Sequence, residues 1–420
     1  MSRHLRALQH RNYQLFFSGQ LVSLTGTWMQ LVAESWLVYR LTGSATLLGI
    51  AAFASQFPVF LFATVGGAVA DRTNRHRIIV TTQTLSMIMP LVLAALTLSG
   101  HVRVWHVFAL ASCLGLVNAF DIPARQAFMM EMVGREDLSN AIALNSSMVN
   151  GARIVGPALA GLLVAAVGEG WCFLLNGMSY LAVIAGLLMM KLPPRQAAHA
   201  PGSALREAVA GFHFAGRTAP IRALLLLVGV VSLAGLPYSV LMPVFANSIL
   251  GGGARTLGLL MGASGLGAFA GAVALTTRQG ARGLGLWAAI AGISFGFALI
   301  AFAESRVLWL SVVLLVAAGT AMMVQMASCN TLIQAMVPDE LRGRVMALFS
   351  MMFMGMSPIG SLLAGWLAER IGAPSTVVLG GAVCVAAAGI FAWRRPTFRT
   401  EAHALILAQE MGAGPISPPV

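Results

Sequence analysis

The chain has 420 residues; 58% are hydrophobic, only 10% are charged, and its mean hydropathy is +0.82. A soluble globular domain carries roughly 25% charged residues and keeps nearly all of them on its surface. Soluble, disordered and fibrous classes are excluded, which leaves an integral membrane protein. The net charge of +12 is read as the basic loops of such a protein, not as a nucleic-acid surface.

The apolar runs, such as 308–323, are long and do not alternate. A barrel strand spans with about ten alternating residues, whereas a helix satisfies its backbone hydrogen bonds within itself. The expected class is therefore an all-α membrane protein. Cys113, Cys172, Cys329 and Cys384 lie scattered in apolar stretches without a CxxC or Cys/His cluster, so no disulfide framework, metal or cofactor is expected. Arg3, Arg6 and Arg11 precede the first apolar run. That run is too long for a signal peptide and lacks an A-x-A-like site, so it reads as an uncleaved first span.

Breaking the chain at charges, Gly and Pro predicts twelve spans: 13–40, 45–70, 77–99, 104–128, 139–167, 171–191, 220–248, 256–276, 283–303, 308–333, 343–369 and 374–394. The expected organisation is an N-terminal six-helix bundle (1–191), a cytoplasmic linker (192–219), a C-terminal six-helix bundle (220–395) and a cytoplasmic tail (396–420). With a cytoplasmic N-terminus, 20 Lys and Arg residues fall on the cytoplasmic side and 5 opposite, namely Arg40, Arg103, Arg255, Arg306 and Arg370. This asymmetry places both termini in the cytoplasm. Arg153 is left inside the fifth span.

A shift of 204 residues lays one half on the other. Gly67-Ala68-Val69-Ala70 falls on Gly271-Ala272-Val273-Ala274, Trp105 on Trp309, Gly115 on Gly319, and Met132-Val133 on Met336-Val337. Gly156, Gly161 and Gly168 fall on Gly360, Gly365 and Gly372. One ungapped offset across separate regions implies duplication. Six spans per copy makes the copies parallel repeats, an arrangement suited to alternating access around a midplane cavity. No paired-carboxylate, nucleophile–His or HExxH arrangement supports an enzyme.

The segment Gly67-Ala-Val-Ala-Asp71-Arg72-Thr-Asn74-Arg75-His76-Arg77 resembles the loop 2–3 signature of the major facilitator superfamily, G-x-x-x-D-R-x-G-R-R. Asn74 stands for the glycine and is tolerable because Asn accepts left-handed angles. His76 replaces a basic residue and weakens the charge. The stretches 11–20, 26–30, 123–127, 140–145 and 152–157 resemble the bacterial exporter branch that includes enterobactin exporters. The resemblance implies a cytoplasmic latch, in which Asp71 faces the N-terminus of the eleventh span near Gly343 and Arg75 pairs with Asp121. Alternatively, Arg72, Arg75 and Arg77 are simple positive-inside anchors.

Ionisable residues within spans are costly and are functional candidates. Gln20, Thr27, Gln30 and Glu34 share a face of the first span, expected to line the cavity. Glu34 is either a proton-coupling carboxylate or a solvated group at the outer mouth; its repeat counterpart is Tyr238. Ser146, Asn150, Arg153 and Pro157 share a face of the fifth span. Arg153 needs an acid (Glu34 or Asp121), backbone carbonyls or an anionic substrate. Asp121 and Arg125 are four apart, a pairing distance on a helix, with Asn118 one turn earlier; their counterparts Gln325 and Cys329 are neutral. Gly151, Gly156-Pro157, Gly161, Gly360 and Gly365 are expected to allow close packing and a bend. Through the resemblance, the glycines of the fifth span also point to export. The 23 methionines suit an adaptable pocket but serve equally as core or lipid-facing residues.

The expectation is a secondary transporter of the bacterial inner membrane. It would export a siderophore or drug by proton antiport, contact lipid, bind no nucleic acid and act as a monomer. The rivals are lipid or metabolite uptake or flipping, and a transporter-like sensor that moves nothing.

Overall fold

A computed structural model describes residues 3–191, 204–276 and 283–410. The linker residues 192–203, the predicted loop arginines Arg278 and Arg282, and the tail residues 411–420 lie outside the described residues.

The first compact unit comprises Met1–Ala200 and Met242–Gly262. It contains α1 (Arg11–Thr42), α2 (Ala45–Arg72), α3 (Arg75–Leu98), α4 (Val104–Val167) and α5 (Glu169–Leu188). Here α2 packs on α4, and both α1 and α3 pack on α4 and α5. Lipid is as apolar as leucine, so helix association in a membrane relies on close packing of small residues. Gly66 of α2 lies against the Ala119 carbonyl of α4, and Gly115 of α4 against the Ser55 carbonyl of α2. A methyl group at either position would overlap backbone.

α4 runs for 64 residues with one break in its helical geometry, at Gly134 (φ 74°, ψ 177°). That backbone region is essentially reserved for glycine. A loop was expected between 128 and 139. Instead the segment is helical on both sides of Gly134, because no proline interrupts it and Arg135 and Glu136 suit a helix. Asp137 is held by the His10 ring at 2.8 Å.

The second unit comprises Pro201–Leu241 and Ala263–Val420. Its helices are α6 (Ala204–Arg217), α7 (Ala219–Val230), most of α8 (Ala254–Thr276), α9 (Leu284–Glu304), α10 (Leu308–Met336), α11 (Asp339–Ser350), α12 (Met356–Ile371), α13 (Ala373–Trp393) and α14 (Arg395–Glu410). α9 packs on α10 and α13. The predicted span 220–248 is a single apolar run, Ala219–Ile249, but only its first part is regular. A π turn (Val231–Gly235), a 3-10 turn (Leu236–Leu241), Met242–Val244 and a second π turn (Phe245–Ile249) follow α7. Pro237 and Pro243 lack the amide donors that a continuous α-helix needs.

Among the described residues, ten helices are long and apolar enough to cross a membrane. α4 counts once among them despite its turn at Gly134. α1 is outside the ten although it has 32 residues, and it carries Gln20, Gln30 and Glu34. Trp105 and Trp309, paired by the 204-residue shift, begin α4 and α10 and are 58% and 70% exposed, as interfacial anchors are. Gly168 and Gly372, another such pair, share the same rare geometry, with φ of 88° and 86°.

Replacing Gly134 by Ala is expected to cost about 1–3 kcal/mol, since a Cβ is strained at this φ. A lowered unfolding midpoint in detergent is the expected result; an unchanged midpoint would show that the turn tolerates other geometry.

Candidate transport site

The polar interior of the first unit is built around two arginines. Arg75 begins α3 and is largely covered. Its guanidinium meets Asp71 at 3.1 Å and Glu131 at 3.0 Å, and donates to the Ala70 and Ala127 carbonyls. The expected Arg75–Asp121 pair is therefore not formed. Asp121 lies deeper along α4, and Glu131, nearly three turns on, is the acid that Arg75 reaches. Asn74 does not adopt the left-handed geometry expected of it: it has φ −72° and caps α3 by accepting from the Arg77 amide at 3.2 Å. His76 lies 2.9 Å from the Leu187 carbonyl oxygen. Arg72 and Arg77 are exposed, and Gly67 has open space where a side chain would go.

Asp121 is 1% exposed and its carboxylate is fully engaged. Thr82 donates to it at 2.7 Å, Gln83 at 3.0 Å, and Arg125 pairs with it at 2.9 Å. Arg125 also donates to Gln20 of α1 at 3.0 Å. This network ties α1, α3 and α4 together inside the span. Gln20 Nε2 and Gln83 Oε1 are buried without partners among the described residues. Asn118 is half-buried one turn away.

The Gln20–Glu34 face of α1 points largely into the unit's own interior. Gln20 and Gln30 are buried. Gln30 accepts from Asn176 of α5 at 2.6 Å and donates to Glu34 at 3.5 Å, leaving Glu34 half-buried. Arg153 has no acid partner among the described residues; neither Glu34 nor Asp121 takes that role. It lies 5.4 Å from the Trp28 ring centre. Its neighbour Asn150 donates to the Ser146 carbonyl at 2.8 Å. Gly156 seats against Trp28 and the α1 backbone, Pro157 is buried beside it, and Gly161 approaches Ala254 and Gly258 of α8. Gly151 has nothing within contact distance, so close packing does not require it.

The family described as transmembrane secretion effectors, within the major facilitator superfamily, matches residues 3–419. The chain belongs to this family.

This transporter is 25% identical over 398 residues to the staphyloferrin A transporter of Staphylococcus aureus, covering 92% of this chain and 97% of that one. It is 28% identical to the multidrug efflux pump Tap of Mycolicibacterium fortuitum, over 86% of this chain and 90% of the relative. It is 27% identical to the enterobactin exporter EntS of Salmonella typhimurium, over 85% and 86%. A bacterial homologue of the lysosomal transporter Spinster, in an inward-facing and occupied conformation, shares the fold, with TM-score 0.70 at 17% identity over 93% of this chain and 98% of that one.

In the second unit of the transporter, Tyr238 is buried, bonded to Ser264 at 2.6 Å and set edge-on to Phe295. Gln325 of α10 is fully buried, and both polar atoms of its side chain lack partners among the described residues. Gly360 lies against the Leu233 carbonyl, and Gly365 is buried. A mostly apolar pocket of about 230 Å³ opens beside the irregular turns after α7, lined by Leu233, Tyr238, Leu241, Leu299, Leu363 and Val383.

Sequence reasoning missed Asn176 and Glu131. Both carry a visible signal, being polar residues within or at the end of an otherwise apolar run. It also missed Glu169, which holds Arg40 at 2.7 Å.

Asp121→Ala is expected to destabilise the transporter by about 3–5 kcal/mol, because it strands Arg125 in the interior. The loss reads as a lower unfolding midpoint, and Arg125→Gln in the same background should restore part of it. Strictly additive losses would disprove the pairing energy.

Proposed function

We propose that the transporter exports an amphipathic small molecule, a siderophore or a drug, across the bacterial inner membrane by alternating access and proton antiport. Twelve crossings follow if α1 is counted and α4 is divided at Gly134, with both termini cytoplasmic. Relatives named for siderophore transport, siderophore export and drug efflux support the cargo class.

One observation carries the coupling. Asp121 and Glu169, the other interior acids of the first unit, are each paired with an arginine. Glu34 is half-buried in the span and meets no cation among the described residues, only the Gln30 amide. Arginines answer the charge of Asp121 and Glu169 within the protein, and nothing among the described residues does so for Glu34. Glu34 is thus the group suited to exchange a proton for cargo. Asp71 and Arg75, fixed beside α4 through Glu131, supply the cytoplasmic latch.

Efflux in inverted vesicles under an imposed pH gradient tests this reading. Wild type should move cargo only with the gradient, and Glu34→Gln should lower gradient-driven flux at least about tenfold while keeping cargo counterflow. Flux that ignores the gradient throughout would remove proton coupling. Asp71→Asn should abolish transport at normal expression; full activity in that variant would remove the latch.

A further inference from the structure

A guanidinium inside a span is costly unless something answers its charge. Asp121 and Gln20 answer Arg125, while Asp71 and Glu131 answer Arg75. Arg153 differs. Among the described residues it makes no ion pair, and its charge meets only the Trp28 ring, 5.4 Å from the ring centre. The ring attracts positive charge but offers no lone pair to the guanidinium N–H donors. Those donors remain available.

The geometry around the pair is firm. Gly156, one turn along α4 from Arg153, lies against the Trp28 Cβ and the backbone of Thr25 and Met29. The root of the indole is therefore fixed on α1 beside α4. Arg153, Trp28 and Asn150 are each half-buried, so each keeps surface that a ligand can touch. A fork of donors matches a carboxylate or phenolate oxygen, and an indole face accepts a flat apolar group.

We infer that Arg153 and Trp28 form a subsite for the anionic, planar end of the cargo, a carboxylate or phenolate borne on an aromatic or conjugated group. This rests on the export reading and narrows its cargo class. Arg153 supplies the charge-assisted donors, Trp28 the flat wall, and Asn150 a further polar edge.

The test uses the full-length protein in nanodiscs of uncharged lipid, with 1-naphthoate and its neutral amide, 1-naphthamide, as shape-matched probes at neutral pH. Wild type should bind the acid about tenfold more tightly than the amide. Arg153→Gln should erase that preference, weakening the acid far more than the amide, and Arg153→Lys should keep part of it. Equal affinity of wild type for the two probes, or binding of neither, overturns the subsite, and so does an acid preference that survives Arg153→Gln. Should Arg153→Gln not fold, the wild-type preference and its reduction in Arg153→Lys decide. Adding phosphatidylglycerol to the nanodiscs should leave the preference intact; its loss there would assign Arg153 to lipid phosphate instead. The same probes separate this inference from export itself. Acid bound through Arg153 but not moved in vesicles defeats export and leaves the subsite. Gradient-driven efflux equal for acid and amide, and indifferent to Arg153→Gln, does the reverse.

Discussion

Without water in the hydrocarbon core, a charged or polar side chain in a span is costly unless the protein supplies its partner. The first unit answers this with a connected set of side chains, and the centre of that set is Asp121. Its carboxylate takes three donors from α3 and α4, and its arginine partner reaches across to α1. A charge pair of this kind is poor evidence of stability by itself, since desolvation offsets much of the attraction. What it secures is the relative placement of three helices, because an error in register would strand a charge in an apolar interior.

The same constraint sorts the interior charges into paired and unpaired ones. Asp121 and Glu169 are neutralised by arginines of their own unit. Among the described residues Glu34 and Arg153 are not, although both lie in predicted spans and both are half-buried. On the function proposed above, a proton at Glu34 and an anionic cargo group at Arg153 would supply what their own unit leaves unanswered among the described residues. Gln30 accepts from Asn176 and donates to Glu34, while Trp28 is seated against Gly156 with its ring 5.4 Å from Arg153.

Backbone geometry shows a related economy. Gly66 and Gly115 bring α2 and α4 into backbone contact, which replaces the hydrophobic drive that lipid cannot provide. Gly134 turns the chain within α4 without a loop, and Gly168 and Gly372 end helices with matching positive φ. The departures from α-helix after α7 gather around Pro237 and Pro243, beside the apolar pocket of the second unit.

Composition, hydropathy and short motifs determined the membrane class, the all-helical character and the likeness to an exporter family, because apolar length and motifs are local properties of a chain. The i,i+4 spacing also exposed the Asp121–Arg125 pair, for both partners lie on one helix. Which acid meets which base across helices was decided by tertiary structure alone. Arg75 found Glu131 rather than Asp121, Asn74 became a cap rather than a left-handed turn, and Gln30 faced Asn176 instead of an open cavity. The reason is rotational. Each residue turns a helix by about 100°, so span boundaries uncertain by a few residues leave facing undetermined until neighbouring helices fix it.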